Sequence, residues 1–182
     1  DTVGPGGFMR AMRTIPMYVE IAQAIKAYAP EAWVINYTNP MTICVKALYT
    51  AFPEIKAFGC CHEVFGTQLL MAKMLEENLG LEKVNREDIK VNVVGVNHFT
   101  WLTSAYYQGM DLFPMYKEFA DKYYYEGVTT DFGGHLNDCF SCWQRVKFDL
   151  FKRYGYIAAA GDRHLAEFCP GDWYLQSPEQ VE

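Results

Sequence analysis

Apolar residues recur along the first half of the chain in two alternating rhythms. Met17, Ile21, Ala24, Ile25 and Tyr28 fall at the three- and four-residue spacing of one helix face. The pattern predicts a helix over about 17–28, opened by Pro16 and stopped by Pro30, with the glycine-rich residues 1–7 as a loop before it. A continuous apolar run over 32–37 reads as a short strand, and Thr38-Asn39-Pro40 as a turn. A second helix is expected from there to about Phe52, where Pro53 ends it. Residues 55–60 repeat the strand pattern and 63–79 the helical one. Strand, helix, strand, helix with short connections points to parallel βαβ units.

Past a polar stretch from Glu82 to Glu87 the rhythm changes. A strand is expected over 89–96, interrupted by Asn97-His98 and continued by an aromatic-rich extended segment over 99–107. Helices follow at about 112–125 and 136–154, then a short strand at 156–160 and a helix start at Gly161-Asp162-Arg163-His164. The fold class is therefore α/β, with a parallel portion over residues 1–88 and a mixed α/β portion over 89–182.

Composition narrows the picture. Half of the 182 residues are hydrophobic and 16% are aromatic, enough for a packed core. A formal charge of -6 argues against nucleic acid as a partner. No apolar run approaches the roughly 20 residues of a membrane span, so no membrane partner is expected. The opening Asp-Thr-Val-Gly-Pro-Gly-Gly has neither an initiator Met nor a signal segment, which reads as part of a longer chain. Cys44, Cys60, Cys61, Cys139, Cys142 and Cys169 do not have the setting of a disulfide-stapled domain, and they read as reduced thiols in a cytoplasmic protein. Cys139-x-x-Cys142 has redox or zinc spacing but lacks a companion motif.

In parallel α/β sheets ligands bind beyond the carboxyl ends of the strands. That position holds Asn39, then Cys61-His62; Asn97-His98 and Asp162-Arg163-His164 interrupt or follow strands further on. Each has an ordinary explanation taken alone: a turn, a buried thiol, a core histidine. Together, Cys61 and His98 read as two metal ligands with positions left open for substrate oxygens.

The strings VINYTNPMT (34–42), FGCCHEVFGTQ (58–68), VVGVNHFTWL (93–102) and AAGDRHLAEFCP (159–170), with GPGGFMRAMRTIP (4–16), resemble the signature segments of glycoside hydrolase family 4. That family is an NAD-dependent exception to two-carboxylate glycoside hydrolysis. The resemblance implies a lactate/malate dehydrogenase-like fold: part of a Rossmann-type parallel sheet over 1–88, then part of a substrate and metal domain over 89–182. It implies a small carbohydrate substrate, NAD and Mn2+ (or another divalent metal) as cofactors, and a homo-oligomer. The chemistry implied is oxidation at carbon 3 of the sugar, metal-assisted elimination and water addition. Cys61 and His98 match the metal ligands, and Asn39 matches a substrate and nicotinamide contact. Asp162 is the expected base at carbon 2 and His62 the expected acid at the leaving oxygen. Asn97, Arg163 and His164 are expected substrate contacts. The Cys-Cys-His-Glu-Val-Phe-Gly string is most similar to the α-galacturonidase group; α-glucosidase and α-galactosidase branches are the alternatives within the family. Two other classes are weighed beside it. A malate-type 2-hydroxy acid dehydrogenase shares the fold and an Asn-Pro turn but has no use for Cys61 with His98, and a non-catalytic NAD-binding module has none for polar residues gathered at strand ends.

Overall fold

The computed structural model describes residues 2–130 and 142–174. Cys139, and with it the Cys-x-x-Cys pair, lies outside the described residues, as does the first part of the helix expected over 136–154. The chain divides into two compact units, Asp1–Cys61 and His62–Glu182.

The first unit contains α1 (Gly4–Tyr28), β1 (Trp33–Asn36), α2 (Met41–Ala51) and β2 (Lys56–Gly59). α1 starts well before the expected position and carries Pro16 inside it. Pro5 supplies the proline favoured in a first helical turn. Pro16 removes the amide that would bond to Met12, on an exposed stretch where water can satisfy the carbonyl instead. β1 and β2 pair in parallel from Trp33 opposite Lys56 to Asn36 opposite Gly59. A small core of Ala22, Leu48, Phe52, Ile55 and Ala57 joins the helices to the strands.

The second unit begins with α3 (Glu63–Leu79) and continues through β3 (Ile89–Val96), β4 (Phe99–Tyr107), β5 (Met110–Asp111) and α4 (Phe113–Lys122). After the segment outside the described residues come α5 (Arg145–Tyr154), β6 (Ile157–Ala158), α6 (Asp162–Phe168) and α7 (Gly171–Tyr174). β4 is central: it pairs antiparallel with β3, β5 and β6. The buried face of α3 (Leu70, Met71, Met74, Leu75) packs with Ile89, Leu102, Tyr116, Phe119 and Phe148. Each such side chain contributes about 1.5–3 kcal/mol on burial, and edge-to-face aromatic pairs such as Tyr116–Phe151, 4.9 Å apart, add to this. Gln68 Nε2 donates to the Ile89 carbonyl at 2.9 Å and ties α3 to the start of β3.

β3 turns into β4 through two residues, Asn97 and His98, with Val96 opposite Phe99. The hairpin is tight at Gly95, whose φ is +110° and whose missing Cβ would lie 2.6 Å from the Phe99 carbonyl oxygen. His98 also has a positive φ, +106°, in a place where a turn usually carries glycine.

Candidate active site

In the first unit a buried asparagine organises the chain beyond β1. Asn36 Oδ1 accepts from the Tyr18 hydroxyl at 2.5 Å and from the Thr38 amide at 3.2 Å, while Asn36 Nδ2 donates to the Thr38 carbonyl at 2.9 Å. Asn39 follows, joined to Pro40 by a cis peptide. Its Oδ1 accepts from the Met41 amide at 3.2 Å, at the start of α2. Asn39 is thus placed at the strand end with its side-chain carbonyl holding the turn. Cys61 is half-buried two residues beyond β2, with a free thiol.

In the second unit His62 is exposed at the N-cap of α3. His98 is 4% exposed, and its ring stacks on His164 with centroids 3.8 Å apart and an interplanar angle of 17°. Burial, and then the neighbouring His164, push the His98 imidazole down to about 4; burial also lowers His164. Both rings are therefore neutral near pH 7, the form in which an imidazole binds a metal. Asn97 Oδ1 and His164 Nδ1 are buried beside them without a hydrogen-bond partner among the described residues. A buried orphan acceptor costs about 1–3 kcal/mol, so these two atoms mark where a bound group would be satisfied. The neutral His98 and these orphaned atoms fit a cation that takes only part of its coordination from protein. No cluster of three or more His, Cys, Asp or Glu suited to a metal exists among the described residues.

Asp162 sits at the start of α6, and its carboxylate caps a different helix. Oδ2 accepts from the Arg145 amide at 2.8 Å and Oδ1 from the Lys147 amide at 3.2 Å. The first turn of α5 has no side-chain cap of its own, and its N-cap Gln144 has φ +59°. Asp162 supplies the missing acceptors and a negative charge at the helix N-terminus. Burial raises its carboxyl above the usual range, while Lys147 and the backbone amides pull the other way. Asp162 also lines a cavity of about 640 Å³ with Trp143, Arg145, Asp149 and Tyr174. Arg163 is exposed on α6.

Three buried polar residues were not anticipated. Glu63 is buried and accepts from Asn97 Nδ2 at 3.3 Å. Lys147 is 2% exposed; its Nζ donates to Thr67 Oγ1 at 2.8 Å and to the Ala159 carbonyl at 3.4 Å. The third is Asn36. A trace of Lys147 is present in the sequence, where it shares helical spacing with Leu150 and Phe151 on the apolar side of α5.

Comparison with known proteins places these residues in context. The family described as "Family 4 glycosyl hydrolase" matches residues 1–77, and "Family 4 glycosyl hydrolase C-terminal domain" matches residues 93–182. An α-galacturonidase of Thermoanaerobacterium saccharolyticum is 62% identical over the whole chain, which covers 39% of that relative. The crystal structure of a Bacillus subtilis protein described as a glucosidase, lplD, superposes with a TM-score of 0.90 at 57% identity, covering 99% of this chain and 41% of that one. A 6-phospho-α-glucosidase from gut microorganisms, solved with NAD and Mn2+, shares the fold with a TM-score of 0.72 at 22% identity, covering 93% of this chain and 39% of its own. The chain spans about two-fifths of the length of these relatives.

Proposed function

Since this chain belongs to the family 4 glycosyl hydrolases, we propose that the protein of which it forms part hydrolyses α-galacturonides with the aid of NAD and a divalent cation such as Mn2+. The identity to an α-galacturonidase along the whole chain carries the substrate. The 6-phospho-α-glucosidase holding NAD and Mn2+ supports the cofactors, as does the neutral, buried His98 beside unpartnered polar atoms.

When bound, NAD supplies a reversible hydride acceptor at carbon 3 of the sugar and the cation a Lewis acid for its oxygens. Cys61 and His98 are the proposed protein ligands, a soft and an intermediate donor that leave room for sugar oxygens. Asp162 is proposed to take the carbon 2 proton, with Lys147 favouring its ionised form. His62, exposed at the α3 N-cap, is proposed to protonate the leaving oxygen. Asn39 would contact both substrate and nicotinamide, Asn97 and His164 the sugar, and the exposed Arg163 the uronate carboxylate.

In this reading residues 1–88 belong to the dinucleotide domain and 89–182 to the substrate and metal domain of a cytoplasmic homo-oligomer. The five described cysteines carry free thiols. No described helix is long and apolar enough to cross a membrane. The test is hydrolysis of an α-linked galacturonate disaccharide by the full-length parent, with and without NAD+, Mn2+ and EDTA. Cleavage that needs both additions is expected; cleavage that needs neither would overturn the reading.

A further inference from the structure

The turn carrying His98 is held from below by a carboxylate that the roles above leave unused. His98 occupies φ +106° although it has a side chain, and a residue so placed costs on the order of 1–3 kcal/mol. The surroundings must therefore fix it. Asn97 Nδ2 donates to Glu63 Oε1, and the His98 amide faces the same carboxylate, whose Oε2 is buried without a hydrogen-bond partner among the described residues. Two donors from successive residues of one hairpin thus meet one side chain in the first turn of α3. The charge of Lys147, which lies on α5 buried between Thr67 and the Ala159 carbonyl, favours the ionised form of the same carboxyl. On its other side His98 meets the His164 ring.

We propose that Glu63 is a positioning residue, fixing the Asn97-His98 turn and through it the direction in which the His98 imidazole presents its donor nitrogen. The inference rests on the reading of His98 as a cation ligand. Glu63 does not touch the cation. It gathers the main chain on one side of His98 while His164 flattens the ring on the other. A residue acting in this way controls how well a preformed donor meets its ion, and such supporting groups typically matter by 10–100-fold in metal affinity.

The experiment is a Mn2+ titration of the full-length parent, followed by electron paramagnetic resonance, with the variants Glu63→Gln and Glu63→Ala and with His98→Ala as reference. The parent is expected to bind Mn2+ at a site that His98→Ala removes. Glu63→Ala should weaken it about 100-fold and Glu63→Gln, which keeps one acceptor for Asn97, about 10-fold. NAD+ affinity should stay the same in both. Should Glu63→Ala fail to fold, Glu63→Gln and Glu63→Asp, which draws the acceptor back from Asn97 Nδ2, still show the weakening. Mn2+ affinity within about twofold of the parent in folded Glu63→Gln and Glu63→Ala would overturn the inference while leaving His98 a ligand. A parent whose Mn2+ binding ignores His98→Ala would overturn the ligand reading, and this inference with it.

Discussion

The two compact units use apolar residues in opposite ways. In the second, α3, β4, α4 and α5 enclose Leu70, Met74, Leu102, Tyr116, Phe119 and Phe148 almost completely. In the first, the core is small, and Trp33, Ile35 and Phe58 stay exposed on the paired strands. Parallel strands are usually covered on both faces and read as continuous apolar runs. β1 and β2 carry that composition without that cover, so an apolar strand signals how a sheet is built and not how much of it is shielded within the unit. The polar residues differ too. Asn39 bonds two residues away and Asn36 reaches no further than Tyr18, 18 residues back, whereas Glu63 meets a residue 34 positions away and Lys147 one 80 positions away.

The largest effect should come from Asp162→Asn in the full-length parent. If Asp162 takes the carbon 2 proton, kcat falls about 10²–10⁴-fold, while loss of charge at the α5 N-terminus lowers stability by roughly 1 kcal/mol. A melting shift with kcat nearly intact would leave Asp162 as the cap of α5 alone. Lys147→Ala comes next, at about 2–6 kcal/mol, because two buried acceptors, Thr67 Oγ1 and the Ala159 carbonyl, lose their donor. Asn36→Ala should cost about 1–3 kcal/mol. Equal losses in denaturant unfolding would erase the distinction between the polar contacts of the two units. Phe148→Ala should cost about 3–5 kcal/mol and Trp33→Ala no more than about 0.5 kcal/mol; a large loss at Trp33 would show that its face is covered in the protein.

The smallest effect is one of pH. Burial pushes the Asp149 carboxyl up, but Tyr124, Tyr174 and Arg153 outweigh it and hold it below its ordinary 3.8. A carboxyl lowered by folding adds stability that is complete above the unfolded value and is lost as pH falls through the folded one. Asp149→Asn should therefore flatten the acid limb of the stability profile below about pH 4 and leave the neutral region slightly less stable.

What the sequence discloses follows the same division. The order of helices and strands is readable, and β3 and α3 have the expected bounds, because periodicity is a local property. α1 departs from expectation because a proline breaks a helix only where its lost bond goes unsatisfied. Asn39 and the Asn97-His98 turn are visible as strand-end polar residues, and the resemblance names their family. Glu63 is not visible, since nothing along the chain says that a glutamate after Cys-Cys-His will meet a hairpin 34 residues away. Asp162 is visible as a polar residue at a strand end, but its capping of α5 depends on where two helices begin in space.

Gly95 has a consequence for how this hairpin can change over generations. Its missing Cβ would strike a main-chain oxygen, that of Phe99, and no substitution elsewhere can trim a main-chain atom to make room. Every replacement at position 95 meets the same obstacle, whatever its chemistry. A lineage can drift at exposed positions such as Trp33 or Phe58, but it leaves glycine at 95 only by rebuilding the turn that carries His98.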